Sequence, residues 1–539
     1  MRPLRALNKY FLKYKWFLLL GIIFTIASNY FKILAPQITK YVLNIVEQIL
    51  GSGTVQSKSL THYDPLVAKF IQVMNMDDAS LKTRIFYAGI MLLVVALISG
   101  IFLFLMRQTI IVMSRHIEFD MKNEIFSHYQ SLDTTFFKTH NTGDLMNRIS
   151  EDVSRVRSYI GPAIMYLANL AATIGFSITY MFNENKRLTL YVLAPLPILA
   201  ITIYYVNMII NRKADKIQRL LSDLTTNAQE SYSGIRVIKS FVQEKTMFAF
   251  FKKNSAEYRD NAISLAKTEA VYFPSMGLLI GLSTLLTIMI GGFYVINGSI
   301  NIGVIGEFVM YILILTFPVS AIGWTASMIQ RAATSQRRIN EFLNVTPAIR
   351  NKVGAINKTL EGNISFKNID FVYPHTGIHA LRNFNLEIKR GEKVAIVGKT
   401  GSGKSTIAQL MMRMYDVEKG TLEYDGINIK DFEVSKLRAQ IGYVPQDVFL
   451  FSDTVQNNIA FGKEFAEREE VIEAAKSAAV HNEILTFSKQ YDTVIGERGV
   501  TLSGGQKQRI SIARALIKQN QIIIFDDCLS AVDARTENE

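Results

Sequence analysis

The chain has 539 residues, with 59 Lys and Arg against 46 Asp and Glu, a net charge of +13. Hydrophobic residues make up 49% and charged residues 19%, below the roughly 25% charged of an average soluble domain, and mean hydropathy is +0.17. These values exclude a disordered chain and argue against a purely soluble enzyme, leaving a membrane protein with a soluble part attached. The single cysteine, Cys528, excludes an internal disulfide framework and a multi-cysteine metal site, and the seven histidines show no ligand spacing. The basic balance suits the cytoplasmic side of an anionic membrane, so no nucleic-acid partner is expected.

Residues 1–15 hold Arg2, Arg5, Lys9, Lys13 and Lys15 and no acid, interleaved with Leu4, Leu7, Tyr10 and Phe11. This pattern predicts an amphipathic helix on the cytoplasmic membrane face. A cleaved signal peptide is the alternative, but the apolar run that follows is too long for one. Six stretches then reach the roughly 20 apolar residues that a span needs. They run from Trp16 to Pro36, Ile85 to Met106, Tyr159 to Phe182, Leu188 to Ile210, Val271 to Ile296 and Val304 to Ile329. The basic N-terminus places the start inside, and six spans return the chain inside. The long polar segments 107–158 and 211–270 then fall on the cytoplasmic side, although Lys186 and Arg187 sit in an outer turn. Within these limits the four middle spans carry no Asp, Glu, Lys or Arg, and the other two hold Lys32 and Glu307 near their ends. An ion relay needs intramembrane ionisable groups, so the energy for transport is expected from elsewhere.

After about residue 330 a polar linker leads into short β-type stretches, then KVAIVG, which reads as a buried strand, and a helix over Ser405–Met414. Between them lies GKTGSGKS, Gly398 to Ser405, a match to G-x-x-x-x-G-K-[ST]. Gly398, Gly401 and Gly403 let the backbone turn its N–H groups toward phosphate, with Lys399, Thr400 and Ser402 filling the loop. The helix N-terminus adds its positive end. Lys404 is placed for the β- and γ-phosphates and Ser405 for Mg²⁺, with Thr406 beside it. Asp526 ends the apolar run Ile522–Phe525 and fits the second Mg²⁺ anchor. LSGGQ, with Ser503, Gly504, Gly505 and Gln506, opens another helix and forms a second phosphate-facing start. A chain with one complete P-loop needs no second such site, so this one is read as serving another molecule's nucleotide.

In this order the motifs resemble those of an ATP-binding cassette (ABC) exporter subunit, over nearly the whole chain. The resemblance implies an α-helical polytopic membrane domain of six transmembrane helices (the type IV ABC exporter fold), fused to an α/β P-loop nucleotide-binding domain. The expected limits are an amphipathic elbow helix at 1–15, the membrane domain at 16–330, a linker at 331–360 and the nucleotide-binding domain at 361–539. It further implies that Tyr373, in FVYP, stacks on adenine and that Gln446, in YVPQD, touches Mg²⁺ and the attacking water. Glu497 corresponds to a loop contacting the membrane domain, LSGGQ to the signature motif and SAVD, ending at Asp533, to the D-loop. FFKTHNTGDLMNRISEDV from Phe136 resembles the region of the first coupling helix, and ESYSGIRVIKSF from Glu230 the cytoplasmic helix region before the fifth span. A switch histidine and further strands follow the D-loop in the family, so the nucleotide-binding domain is expected to be C-terminally incomplete.

Family members that hydrolyse ATP well carry Glu directly after the Asp526 position, where this chain has Asp527. One methylene less draws a general base away from the water it must reach. FDDCLSAVDARTE resembles one subunit type of bacterial heterodimeric multidrug exporters, in which one ATP site is weak. The implied assembly pairs this chain with a second ABC half-transporter, a heterodimer in preference to a homodimer. It is an ATPase coupled to transmembrane movement, multi-pass in the cytoplasmic (inner) membrane with its nucleotide-binding domain in the cytoplasm. Phe317, Trp324 and Met328 are candidates for lining a hydrophobic or amphiphilic cargo site among lipid-embedded helices. A regulatory subunit with little hydrolysis of its own and an ATP-gated channel are the rival readings.

Overall fold

The computed structural model describes residues 2–49, 62–76, 80–496, 502–518 and 520–528, so Glu497 and Asp533 lie outside the described residues. The chain divides into two compact units. One comprises Met1–Ile125 and Asn147–Phe342, the other Phe126–Met146 and Leu343–Glu539.

The first half of the chain runs through α1 (Asn8–Lys13), α2 (Lys15–Ile49), α3 (Pro65–Met76), α4 (Leu81–Ser131), α5 (Thr134–Thr139), α6 (Thr142–Asn147), α7 (Val153–Ser158) and α8 (Ile164–Glu184). It continues as α9 (Lys186–Leu193), α10 (Pro195–Ser233), α11 (Ile235–Ser240), α12 (Glu244–Ile296) and α13 (Ile302–Leu343). Among the described residues five helices are long and apolar enough to cross a membrane: Lys15–Gln48, Leu81–Ser131, Thr142–Glu184, Gly277–Ile296 and Ile302–Leu343. The expected fourth span is helical but broken, since α9 stops at Leu193 and α10 starts at Pro195, which has no N–H to continue the ladder.

Helices overrun the expected span ends. α2 passes through Pro36 to Ile49, and α4 and α10 continue from their apolar stretches into the polar segments as far as Ser131 and Ser233. Apolar composition marks the lipid-facing length, whereas a nucleated helix propagates through any residues of fair propensity, Lys, Arg and Glu included. The expected start of the third span instead forms a π-turn at Tyr159–Ala163, whose wider backbone accommodates Pro162. Leu4, Leu7 and Tyr10 of the N-terminal segment are buried while Arg2 and Arg5 are exposed. The segment is also pinned to α4: Lys9 Nζ donates to Glu124 Oε2 at 2.7 Å and Lys13 Nζ to Asp120 Oδ2 at 2.6 Å.

Charge lies deeper in this unit than the span limits suggested. Lys40 of α2 pairs with Glu184 at the end of α8 and lies 3.2 Å from Glu307 Oε2 of α13, all three side chains at most 7% exposed. Tyr311 donates to Glu307 Oε1 at 3.1 Å. Nearby, Asp64 accepts from Tyr30 and Tyr180 at 2.9 and 2.6 Å. Three helices remote in sequence bring these groups together, so no local pattern announces them. Of the three candidate cargo-lining residues, Phe317 and Trp324 are open at the surface of the unit, Trp324 edge-on to Tyr166. Met328 is buried within the unit, at 7% exposure.

The second unit holds β1 (Ile364–Val372), β2 (His379–Ile388), α14 (Lys404–Met411), β3 (Lys419–Tyr424), β4 (Ile427–Asn428), α15 (Val434–Ala439) and β5 (Ile441–Val444). α16 (Val455–Ala460), α17 (Arg468–Ser477), α18 (His481–Thr486), α19 (Gly504–Leu516) and β6 (Ile522–Phe525) follow. An antiparallel sheet has the order β2-β1-β3-β4, and β5 pairs in parallel with β6. Phe366, Phe371, Leu422 and Tyr424 of the first sheet pack with Leu410 and Met411 of α14. A separate helical core gathers Val455, Val471, Ile484 and Ile510. Residues 126–146 belong to this unit: Asp133 caps α5 through Phe136 N at 3.2 Å and accepts Ala348 N at 2.6 Å.

Two strand expectations need correction. Lys393–Val397 forms no strand, and Val394, Ile396 and Val397 are exposed. β6 forms, but Ile523 and Phe525 are exposed rather than buried. The side chains of a parallel strand are buried by the elements that cover the two faces of its sheet. Here β6 has β5 as its one ladder partner among the described residues, and Ile522–Phe525 line, with Val394, Ile396 and Gly398, a cavity of about 860 Å³. The expected helix Ser405–Met414 also stops early. Arg413 takes a left-handed φ of +48° and its buried guanidinium bonds Asp416, the Phe432 carbonyl and the Arg350 carbonyl.

Candidate nucleotide-binding site

The loop Gly398–Gly403 leads directly into α14, whose N-cap is Gly403. Gly401 and Gly403 have φ of +80° and +91°, conformations that suit a residue without Cβ. A Cβ on Gly403 would also stand 2.7 Å from the Ala380 carbonyl oxygen. Gly403→Ala therefore combines backbone strain of about 1–3 kcal/mol with a clash. It is expected to weaken ATP binding at this loop by about tenfold or more, measured with a fluorescent ATP analogue. Wild-type affinity would show that the loop accommodates a side chain.

Lys399, Thr400, Gly401 and Ser402 are exposed at the surface, and Gly403 is half-buried. The Lys404 ammonium folds back on the loop and donates to the Gly398 and Lys399 carbonyls at 2.8 and 3.0 Å. An anion in the loop would compete for it with full charge, where the carbonyls offer only dipoles. Ser405 Oγ donates to Asp526 Oδ1 at 2.8 Å. The parallel pairing of β5 and β6 places Asp526 at the strand end, its N–H on the Val444 carbonyl at 3.0 Å. Hydroxyl and carboxylate are hard oxygen donors of the kind Mg²⁺ takes, so the pair fits that ion.

Asp527 follows with φ +47°, and its Oδ2 accepts from Gln446 Nε2 at 2.9 Å. These two residues, 81 apart in sequence, are thus brought together beside Asp526. Tyr373 shares a hydrogen bond with Thr406 Oγ1 at 2.9 Å and donates to Gln409 Oε1 at 3.2 Å, its ring edge-on to Phe371 and Tyr415. Thr406 is buried by this contact, so a phosphate would meet its backbone rather than its hydroxyl.

Ser503 and Gln506 form a reciprocal capping box at the start of α19: Ser503 N donates to Gln506 Oε1 at 3.0 Å and Gln506 N to Ser503 Oγ at 3.3 Å. Ser503 and Gly504 are exposed, and Gly505 and Gln506 half-buried. None of these four lines the cavity that contains Gly398, Lys404, Asp526 and Asp527.

Sequence reading missed two neighbours of the site. Tyr443 OH donates to Asp526 Oδ2 at 3.3 Å, and Gln409 holds Tyr373. Tyr443 stands three residues before Gln446, but its role depends on β5 lying beside β6. Burial and the neighbouring Asp526 carboxylate push the Tyr443 phenol above its ordinary range, so it stays a neutral donor. Burial likewise raises the Cys528 thiol, which packs against Val444 and Ala515 and is structural rather than reactive.

Residues 18–319 match the family described as ABC transporter transmembrane region, and residues 381–530 the family described as ABC transporter. The Multidrug resistance-like ATP-binding protein MdlA of Escherichia coli is 35% identical over 422 residues, 78% of this chain and 71% of that protein. The ATP-dependent lipid A-core flippase of Syntrophus aciditrophicus is 34% identical over 421 residues, 78% of this chain and 70% of that one. A solved bacterial Atm1-family ABC exporter with ATP bound shares the fold, with a TM-score of 0.71, 24% identity, and coverage of 99% of this chain and 88% of its own.

Proposed function

Because the chain belongs to the ABC transporter family, an ATPase class coupled to transport, we propose that it is one half of a dimeric exporter of hydrophobic or amphiphilic compounds. The contact of Ser405 with Asp526 at the mouth of the loop carries the reading. It joins the loop that would take the phosphates to the carboxylate that would take the cation. Ser405, Asp526 and Gln446 would hold Mg²⁺ there, and the ion would supply positive charge to the triphosphate. The loop N–H groups and Lys404 bind and orient the triphosphate, and Tyr373 flanks the base. Ser503, Gly504, Gly505 and Gln506 present a helix N-terminus to the partner's nucleotide. ATP held from both sides stabilises the closed pair of nucleotide domains, and that differential affinity drives the membrane helices between states. The multidrug and lipid A names of the relatives support an apolar or amphiphilic cargo, as does the open placement of Phe317 and Trp324.

The partner is a second half-transporter of different sequence, and this chain supplies the weaker ATP site. Asp527 supports that reading. Its short side chain is held by Gln446, and a base misplaced by about 1 Å loses on the order of 10²-fold in rate. Asp527→Glu is expected to raise single-turnover hydrolysis at this P-loop by roughly 10²-fold, with Asp527→Asn near zero. Equal rates in the three assembled transporters would remove Asp527 from catalysis. A complex containing this chain as its sole half-transporter would replace the heterodimer with a homodimer.

A further inference from the structure

Asp526 is bracketed by two hydroxyls. Ser405 Oγ donates to its Oδ1 at 2.8 Å from the loop side, and Tyr443 OH donates to its Oδ2 at 3.3 Å from the neighbouring strand. The parallel register sets Tyr443 opposite Ile524, two residues short of Asp526. The Tyr443 side chain is half-buried. Three residues further along the same stretch, Gln446 holds Asp527. One strand end therefore grips both consecutive carboxylates, each through a different side chain.

We propose that Tyr443 is a positioning residue for the metal-anchoring carboxylate, fixing the plane of Asp526 so that Oδ1 faces the cation. The proposal rests on the nucleotide-site reading above. The Ser405 hydroxyl can donate its proton to Oδ1 and still offer a lone pair to a metal, but that one bond leaves the carboxylate free to pivot, and a second tether stops it. Tyr443 provides one on the oxygen that Ser405 does not use. The contact is long for an O–H···O bond. It can therefore shorten when the cation binds, with little movement of the carboxylate. A carboxylate left free to rotate must lose that freedom on binding, which weakens the metal; loss of such a supporting hydrogen bond costs about 10–100-fold in metal affinity.

The test is Tyr443→Phe in the assembled transporter, which keeps the ring and removes the hydroxyl. Binding of a fluorescent ATP analogue is followed at rising Mg²⁺ and, separately, in EDTA. The midpoint in Mg²⁺ is expected to rise about tenfold while binding in EDTA is unchanged. In an Asp526→Asn background the same substitution is expected to add nothing, since its effect passes through that carboxylate. A merely structural tyrosine would shift both binding curves, or add its own cost on Asp526→Asn. Either of those results, or a Mg²⁺ midpoint equal to wild type, overturns the proposal. Failure of the wild-type transporter to bind the analogue at all overturns the nucleotide-site reading and this proposal with it.

Discussion

Lys40→Met is expected to destabilise the membrane unit by about 3–5 kcal/mol, because it removes one partner from a buried ionic cluster. Lys40 is the cation facing Glu184 and Glu307, and Glu307 is fully buried. Without the ammonium two carboxylates would stay in a low-dielectric interior with little to balance them. The tyrosines that surround the cluster, Tyr63 over Lys40 and Tyr311 on Glu307, cannot replace a charge. Denaturation of the purified transporter in a graded detergent series would measure the loss. Removing both acids as well, with Glu184→Gln and Glu307→Gln, should recover much of it, since an apolar or neutral cluster of similar volume is often as stable as an ion pair. Unfolding of Lys40→Met at the wild-type midpoint would show that the three helices are held by packing instead.

Lys404→Ala is expected to lower ATP affinity at this chain's loop by about 10²-fold, the worth of one or two charge-assisted hydrogen bonds at ~1.5–3 kcal/mol each. The ammonium lies on the Gly398 and Lys399 carbonyls and is free to leave them for phosphate, since those bonds are to neutral oxygen. Nucleotide binding and ATP-dependent accumulation in inverted vesicles would both be read. Binding unchanged in Lys404→Ala would move the triphosphate away from the loop altogether. Binding lost with accumulation retained would place the driving site in the partner.

The nucleotide loop was legible because its chemistry is local. Gly398 to Ser405 must be contiguous to curl around phosphate, so the residues that do it are neighbours in the chain. The apolar stretches were legible for a similar reason: lipid contact imposes roughly 20 apolar residues in a row. Their true ends were not, since α4 and α10 continue through polar residues that suit a helix equally well. The KVAIV run was misread as a strand because its composition reports burial preference, whereas a strand exists through its ladder partners. The same gap explains the half-exposed β6.

Class of fold, ATP as the energy source and the proposal of Lys404, Ser405 and Asp526 as a set follow from the order of residues along the chain. They depend on short-range geometry and on composition, both of which a linear text carries. The meeting of Gln446 with Asp527, the tether from Tyr443 to Asp526, and the cluster of Lys40, Glu184 and Glu307 do not. Each joins groups some 80 to 270 residues apart, and such partners are chosen by which strands pair and which helices pack, a choice made by the whole folded chain.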